Sequence, residues 1–161
     1  MVECSRYSIV LPMKIKLVLI VLPALFVLFG AGCDLVTDFS KVIYVDIDAP
    51  EMVVVGDVFD VSVFVTNKDS KPYTFYDLEI GDALFEGLEL KGTVPPYESS
   101  FHIPVFDLVN YTYDTEILAG ESFEVVLTFE ALQEGQYFGP LNACVGDDAN
   151  CIEEKIDIIV E

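Results

Sequence analysis

The feature that most constrains this chain is a period-two alternation of apolar and polar residues. In "VFDVSVFVT", residues 58–66, Phe59, Val61, Val63 and Val65 fall on one face, with Asp60, Ser62 and Thr66 on the other. In "SFEVVLTFEA", residues 122–131, Phe123, Val125, Leu127 and Phe129 alternate with Glu124, Thr128 and Glu130. "VIYVDID" (42–48) and "IDIIVE" (156–161) alternate more weakly. Side chains of an extended strand point to opposite faces in turn, so such segments bury one face and wet the other. Turn-forming clusters separate them: "TNKDSKP" at 66–72, "KGTVPPYESS" at 91–100, "LAGES" at 118–122 and "VGDDAN" at 145–150. No segment of useful length has a helical stripe. The expected fold is an all-β antiparallel sandwich of about seven strands over residues 42–161.

A different pattern precedes it. Lys14 and Lys16 lead into 13 apolar residues, Leu17 to Phe29, and small residues Gly30, Ala31 and Gly32 run into Cys33. A basic start, a short apolar run and small residues are the order of a secretory signal. The run is short for a membrane span, which needs about 20 apolar residues, and Pro23 interrupts it. Residues 1–32 are therefore expected to be a signal or anchor helix, with translation starting at Met13. Residues 33–41 would then be a tether.

Ala31-Gly32-Cys33 resembles the lipobox of bacterial lipoproteins, with Gly30 where that family usually has leucine. The resemblance implies cleavage before Cys33 and lipid on that cysteine. The alternative is an uncleaved anchor with Cys33 buried near the interface. Both put the acidic portion outside the cytoplasm, with the lysines inside.

Charge narrows the partners. The chain carries 28 acidic and eight basic side chains, a net charge of -20. Residues 1–32 hold Arg6, Lys14, Lys16 and Glu3, leaving 27 acids and five bases to residues 33–161. That surface repels phosphate backbones, so no nucleic-acid partner is expected.

Cys144 and Cys151 flank the turn-rich segment 145–150 between two expected strands. Outside the cytoplasm such a pair is expected to form a disulfide that clamps a hairpin. A zinc site would need more ligands than two thiols and the distant His102 supply.

The succession "VVVGDVFDVSVFVTN", "LFEGLELKG", "ILAGESFEVVLTFEA" and "EGQYFG" resembles the Ig-like conserved repeat and CARDB-like domains of prokaryotic cell-surface proteins. The shared positions are Gly56, Asp57, Asn67, Gly87, Leu88, Gly120, Glu121 and Ser122. The resemblance implies an Ig-like sandwich with adhesive, spacer or interaction roles and no common active site.

Candidate chemistry is sparse. His102 is the single histidine, so a two-histidine copper site is excluded, and Ser99 and Ser100 lack a nucleophile motif. Paired carboxylates raise a hydrolase alternative, but chance proximity suffices at this acid content. Clustered oxygens in "DID" (46–48), "GDVFD" (56–60) and "GDDAN" (146–150) raise a calcium-stabilised adhesion alternative, with Asp147 and Asp148 as weak candidate ligands. Asn110-Tyr111-Thr112 is a formal glycosylation sequon. Tyr73, Phe75, Tyr76, Tyr111 and Tyr113 are the candidates for a partner surface, since aromatic residues are enriched at interfaces. The expectation is a non-enzymatic module without a cofactor, anchored to a membrane through lipid and directed at a protein or cell-surface partner.

Overall fold

The computed structural model describes residues 41–146 and 150–161. The leader, Met13, Cys33, Asp147 and Asp148 lie outside the described residues.

Ten strands are found among the described residues, more than the seven expected, in two facing sheets. One sheet runs β1 (Ile43–Asp48), β3 (Val58–Asn67), β8 (Ser122–Ala131) and β5 (Leu88–Val94), in that spatial order. The other runs β2 (Met52–Val53), β10 (Cys151–Val160), β9 (Gly135–Val145), β4 (Tyr73–Gly81), β7 (Leu108–Ile117) and β6 (Ser99–Ile103). The additional strands have physical causes. β2 has two residues and exists only by parallel pairing with the end of β10, so the sandwich is not wholly antiparallel. β6 lies partly inside the expected 91–100 turn, where Pro95 and Pro96 obscure the alternation. Among the described residues no helix is long and apolar enough to cross a membrane.

The alternation read from the sequence sets the core. Val61, Val63 and Val65 of β3 and Val125, Leu127 and Phe129 of β8 are buried between the sheets. Opposite them, Phe75, Leu78 and Ile80 of β4 and Leu141 and Ala143 of β9 are fully buried. Phe59 and Phe129 are cross-strand partners with ring centroids 6.0 Å apart. Burying each large side chain of this kind contributes roughly 1.5–3 kcal/mol. The outward faces carry the acids, including Asp46, Asp60, Glu89 and Glu124.

Two irregularities shape the six-stranded sheet. The β4 register shifts between Phe75 and Asp77, so the bulge at Tyr76 keeps both Phe75 and Leu78 facing inward. Pairing of β4 with β9 stops at Ile80 and Leu141, one residue before Pro140, which has no N–H to donate. The chain leaves the sheet there at Gly81 and forms a 3-10 turn, Asp82–Glu86, that buries Leu84.

Candidate functional site

The hairpin of β9 and β10 places Cys144 directly opposite Cys151, and the two are joined in a disulfide. Their Cα atoms are 3.9 Å apart. As cross-strand partners the two cysteines share a face of the sheet; Cys144 is buried there and Cys151, on the outer strand of the pair, is exposed. The turn between them is fastened by Val145 N–H to the Asn150 carbonyl (3.0 Å) and Gly146 N–H to the Thr74 carbonyl (2.8 Å). A carboxylate oxygen of Glu79 lies within 4.8 Å of both sulfurs. Those sulfurs are spent in the disulfide and offer no thiolate, so the trio is not a metal ligand set. Glu79 instead accepts a hydrogen bond from Asn142 Nδ2 at 3.0 Å.

The aromatic residues expected on a partner surface are mostly core. Tyr73, Phe75, Tyr111 and Tyr113 are buried, and only Tyr76, at the bulge, is half-buried. Packing takes them inside: Phe75 fills the space between the sheets, its ring centroid 5.4 Å from those of both Tyr113 and Phe123. Tyr111 meets Tyr97 edge-on at 5.1 Å. Burial pushes the Tyr111 phenol up to about 12, with smaller contributions from Tyr97 and Tyr113. Burial also raises Tyr113. At the rim, the Tyr73 hydroxyl donates to Asp69 Oδ2 at 2.6 Å, and this bond lowers the Asp69 pKa.

Asn110 is buried between Glu79 of β4 and Phe101 of β6, so the sequon offers no accessible amide for modification. Asp57 Oδ2 accepts the Val54 N–H at 3.0 Å, and Asp60 accepts the Thr128 hydroxyl at 2.7 Å. Those two carboxylates serve a turn and a strand pair. His102 Nε2 donates to Asp82 Oδ2 at 2.5 Å, joining β6 to the 3-10 turn. Among the described residues no hydroxyl is hydrogen-bonded to its other ring nitrogen. The structure does not bring His102 and either serine into a nucleophile–base pair.

The residues that sequence reasoning missed lie around β6. Phe101, Val105 and Phe106 are 55%, 79% and 69% exposed, in or next to a strand that among the described residues lies at the edge of its sheet. Three prolines, Pro95, Pro96 and Pro104, bracketing "YESSFHI" were the available signal.

No protein-family model matches the chain, and no curated protein matches it. Solved structures do resemble it. The cohesin module of a Clostridium perfringens family 33 glycoside hydrolase aligns with a TM-score of 0.50 at 14% identity. That alignment covers 74% of this chain and 97% of the module. The CARDB domain of the PF1109 protein from Pyrococcus furiosus, solved in complex with di-metal ions, aligns with a TM-score of 0.43 at 16% identity. It covers 74% of this chain and 87% of that domain. The cupredoxin domain of amoB from Nitrosocaldus yellowstonii aligns with a TM-score of 0.47 at 12% identity, covering 76% and 88%. The likeness to the cohesin module is one of fold, a two-sheet β-sandwich.

Proposed function

We propose that this chain is a membrane-anchored extracytoplasmic lipoprotein whose Ig-like sandwich is a non-catalytic module for protein interaction, adhesion or envelope structure. The Cys144–Cys151 disulfide is the observation that carries the compartment, because such bonds form and persist in oxidising environments. The basic start, short apolar run and small residues before Cys33 support export and anchoring through lipid on that cysteine. The shared sandwich fold is compatible with binding roles, and its buried aromatics and turn-bound carboxylates are accounted for by packing and hydrogen bonding.

Mass spectrometry of the membrane-extracted protein tests this reading. The expected result is a chain beginning at Cys33 with added acyl mass. An intact N-terminus at Met1 or Met13, without lipid, overturns it.

A further inference from the structure

Among the described residues the two sheets have four edges: β1 and β5 in one, β2 and β6 in the other. An edge strand presents a row of unpaired N–H and C=O groups, which folded proteins block with charge, bulges, proline or extreme shortness. β1 carries the exposed acids Asp46 and Asp48. β5 carries Lys91, held by Glu89 and Glu130 at 3.3 and 3.0 Å, and has a register shift between Leu90 and Gly92. β2 has two residues and closely follows Pro50.

β6 has none of these devices. Its sequence, "SSFHI", holds no acid, lysine or proline, and it pairs with β7 in unbroken register from Ser99↔Thr112 to Ile103↔Leu108. Pro95, Pro96 and Pro104 stand just outside it and confine the open edge to five residues. The strand is also braced. His102 is bonded to Asp82, and Asp82 N–H donates to the Asp107 carbonyl at 2.8 Å. Exposed Phe101, Val105 and Phe106 provide apolar surface beside it.

We propose that β6 receives an extended, basic segment of a partner protein, which adds to the six-stranded sheet as a further antiparallel or parallel strand. Alternating backbone donors and acceptors select another extended polypeptide. Charge selects its character: Asp82, Glu98 and Asp107 flank the strand, and residues 95–117 contain no lysine or arginine. A second copy would bring the same acids and a net charge of -20 against themselves. The inference rests on the reading of this domain as an interaction module and names the surface it uses.

The test uses the full chain and a fluorescent peptide of alternating lysine and valine, followed by anisotropy and by hydrogen exchange at each amide. The peptide should bind and protect amides within Ser99–Ile103. The same peptide N-methylated on one edge, unable to complete the ladder, should bind about tenfold or more weakly. Ser100→Pro should weaken binding similarly, and Ser100→Lys, which keeps the β6–β7 backbone ladder, should do so by charge repulsion. Val94→Ser, on the other sheet, should leave binding unchanged.

No binding, equal binding by the N-methylated peptide, or protection elsewhere overturns the proposal. So does an edge already protected in the free chain, whether by a second copy, seen as a dimer in sedimentation, or by residues 1–40 in a monomer. None of these outcomes alters the mass measured at Cys33, so failure of the docking surface is distinguishable from failure of the lipoprotein reading.

Discussion

Asn67 Nδ2 donates a hydrogen bond to the carbonyl oxygen of Ile117 at 3.1 Å, across 50 residues of sequence. The same amide reaches the carbonyls of Lys71 (2.9 Å) and Leu118 (3.2 Å), while Oδ1 accepts the Asp69 N–H at 2.9 Å. The side chain is wholly buried, and its backbone carbonyl accepts the Gly120 N–H at 2.9 Å. One asparagine therefore satisfies the polar groups of two turns, β3–β4 and β7–β8, in place of water.

Replacing it should show what that network contributes. Asn67→Ala leaves buried carbonyls without donors and should lower unfolding stability by about 2–4 kcal/mol. Asn67→Asp should cost more at neutral pH, because it sets a carboxylate against those carbonyls. Urea unfolding midpoints of the variants check both. Unchanged midpoints would show that water replaces the amide without loss.

Gly87 tests packing without polarity. A Cβ there would lie 1.9 Å from Tyr137 Cζ, and the Tyr137 hydroxyl is fixed by donation to the Gln133 carbonyl at 3.0 Å. Gly87→Ala must displace that ring and should destabilise by about 1–3 kcal/mol or more. Thermal unfolding measures it, and pairing with Tyr137→Leu should recover part of the loss. Additive losses in the pair would mean that the two residues do not clash.

The disulfide closes a short loop, with a sequence separation of 7 between the cysteines. Chain-entropy arithmetic for so short a loop predicts a loss of about 2–3 kcal/mol on Cys144→Ser with Cys151→Ser. Peptide mapping without reductant should find the two cysteine peptides joined in protein from its native compartment. Free thiols there would remove both the clamp and the argument for an oxidising location.

Tyr111 and Asp69 give pH dependences of opposite sign. Burial raises the Tyr111 phenol from 10.0 to about 12, so the fold favours its neutral form. That contribution is complete below pH 10.0 and disappears as pH rises through about 12. Phenolate absorbance should show Tyr111 ionising last among the tyrosines or together with alkaline unfolding, and Tyr111→Phe should flatten the alkaline limb. The Asp69 carboxyl is held below 3.8 chiefly by the Tyr73 hydroxyl, so its contribution is present above 3.8 and lost at lower pH. Asp69→Asn should flatten the acid limb instead. Unaltered limbs in either variant would contradict the assignment.

The excess of carboxylates should make the fold sensitive to salt. With 27 acids against five bases in residues 33–161, few ion pairs offset repulsion, and screening acts within about 8–10 Å. Sodium chloride should raise the melting temperature, with calcium and magnesium acting alike at equal ionic strength. A calcium-specific gain, lost on Asp147→Asn with Asp148→Asn, would instead indicate binding to the native state.

Some of this architecture is legible in sequence because strand geometry is local. The alternation in residues 58–66 and 122–131 marks β3 and β8 and their buried valines, leucine and phenylalanine. The turn chemistry around Cys144 and Cys151 likewise marks the hairpin that the disulfide closes. The aromatic residues were harder to place. Tyr111 and Tyr113 do alternate with Asn110 and Thr112, a cue for burial, but Asn110 is itself buried on the opposite face. In β4 the bulge at Tyr76 breaks the period, so parity alone puts Leu78 and Ile80 on the wrong side.

By itself, then, the sequence determined that the domain is β, where its strongest strands and turns lie, and which cysteines can meet in a hairpin. These follow from interactions between residues close in the chain, where an extended backbone has a period of two. Only tertiary structure decided which strands share a sheet, that β2 survives by pairing with β10, and that Tyr73, Phe75, Tyr111 and Tyr113 fill the interior. It also decided that β6 lies at an edge. Edge and centre depend on which distant segments win the backbone hydrogen bonds, and no local periodicity encodes that competition.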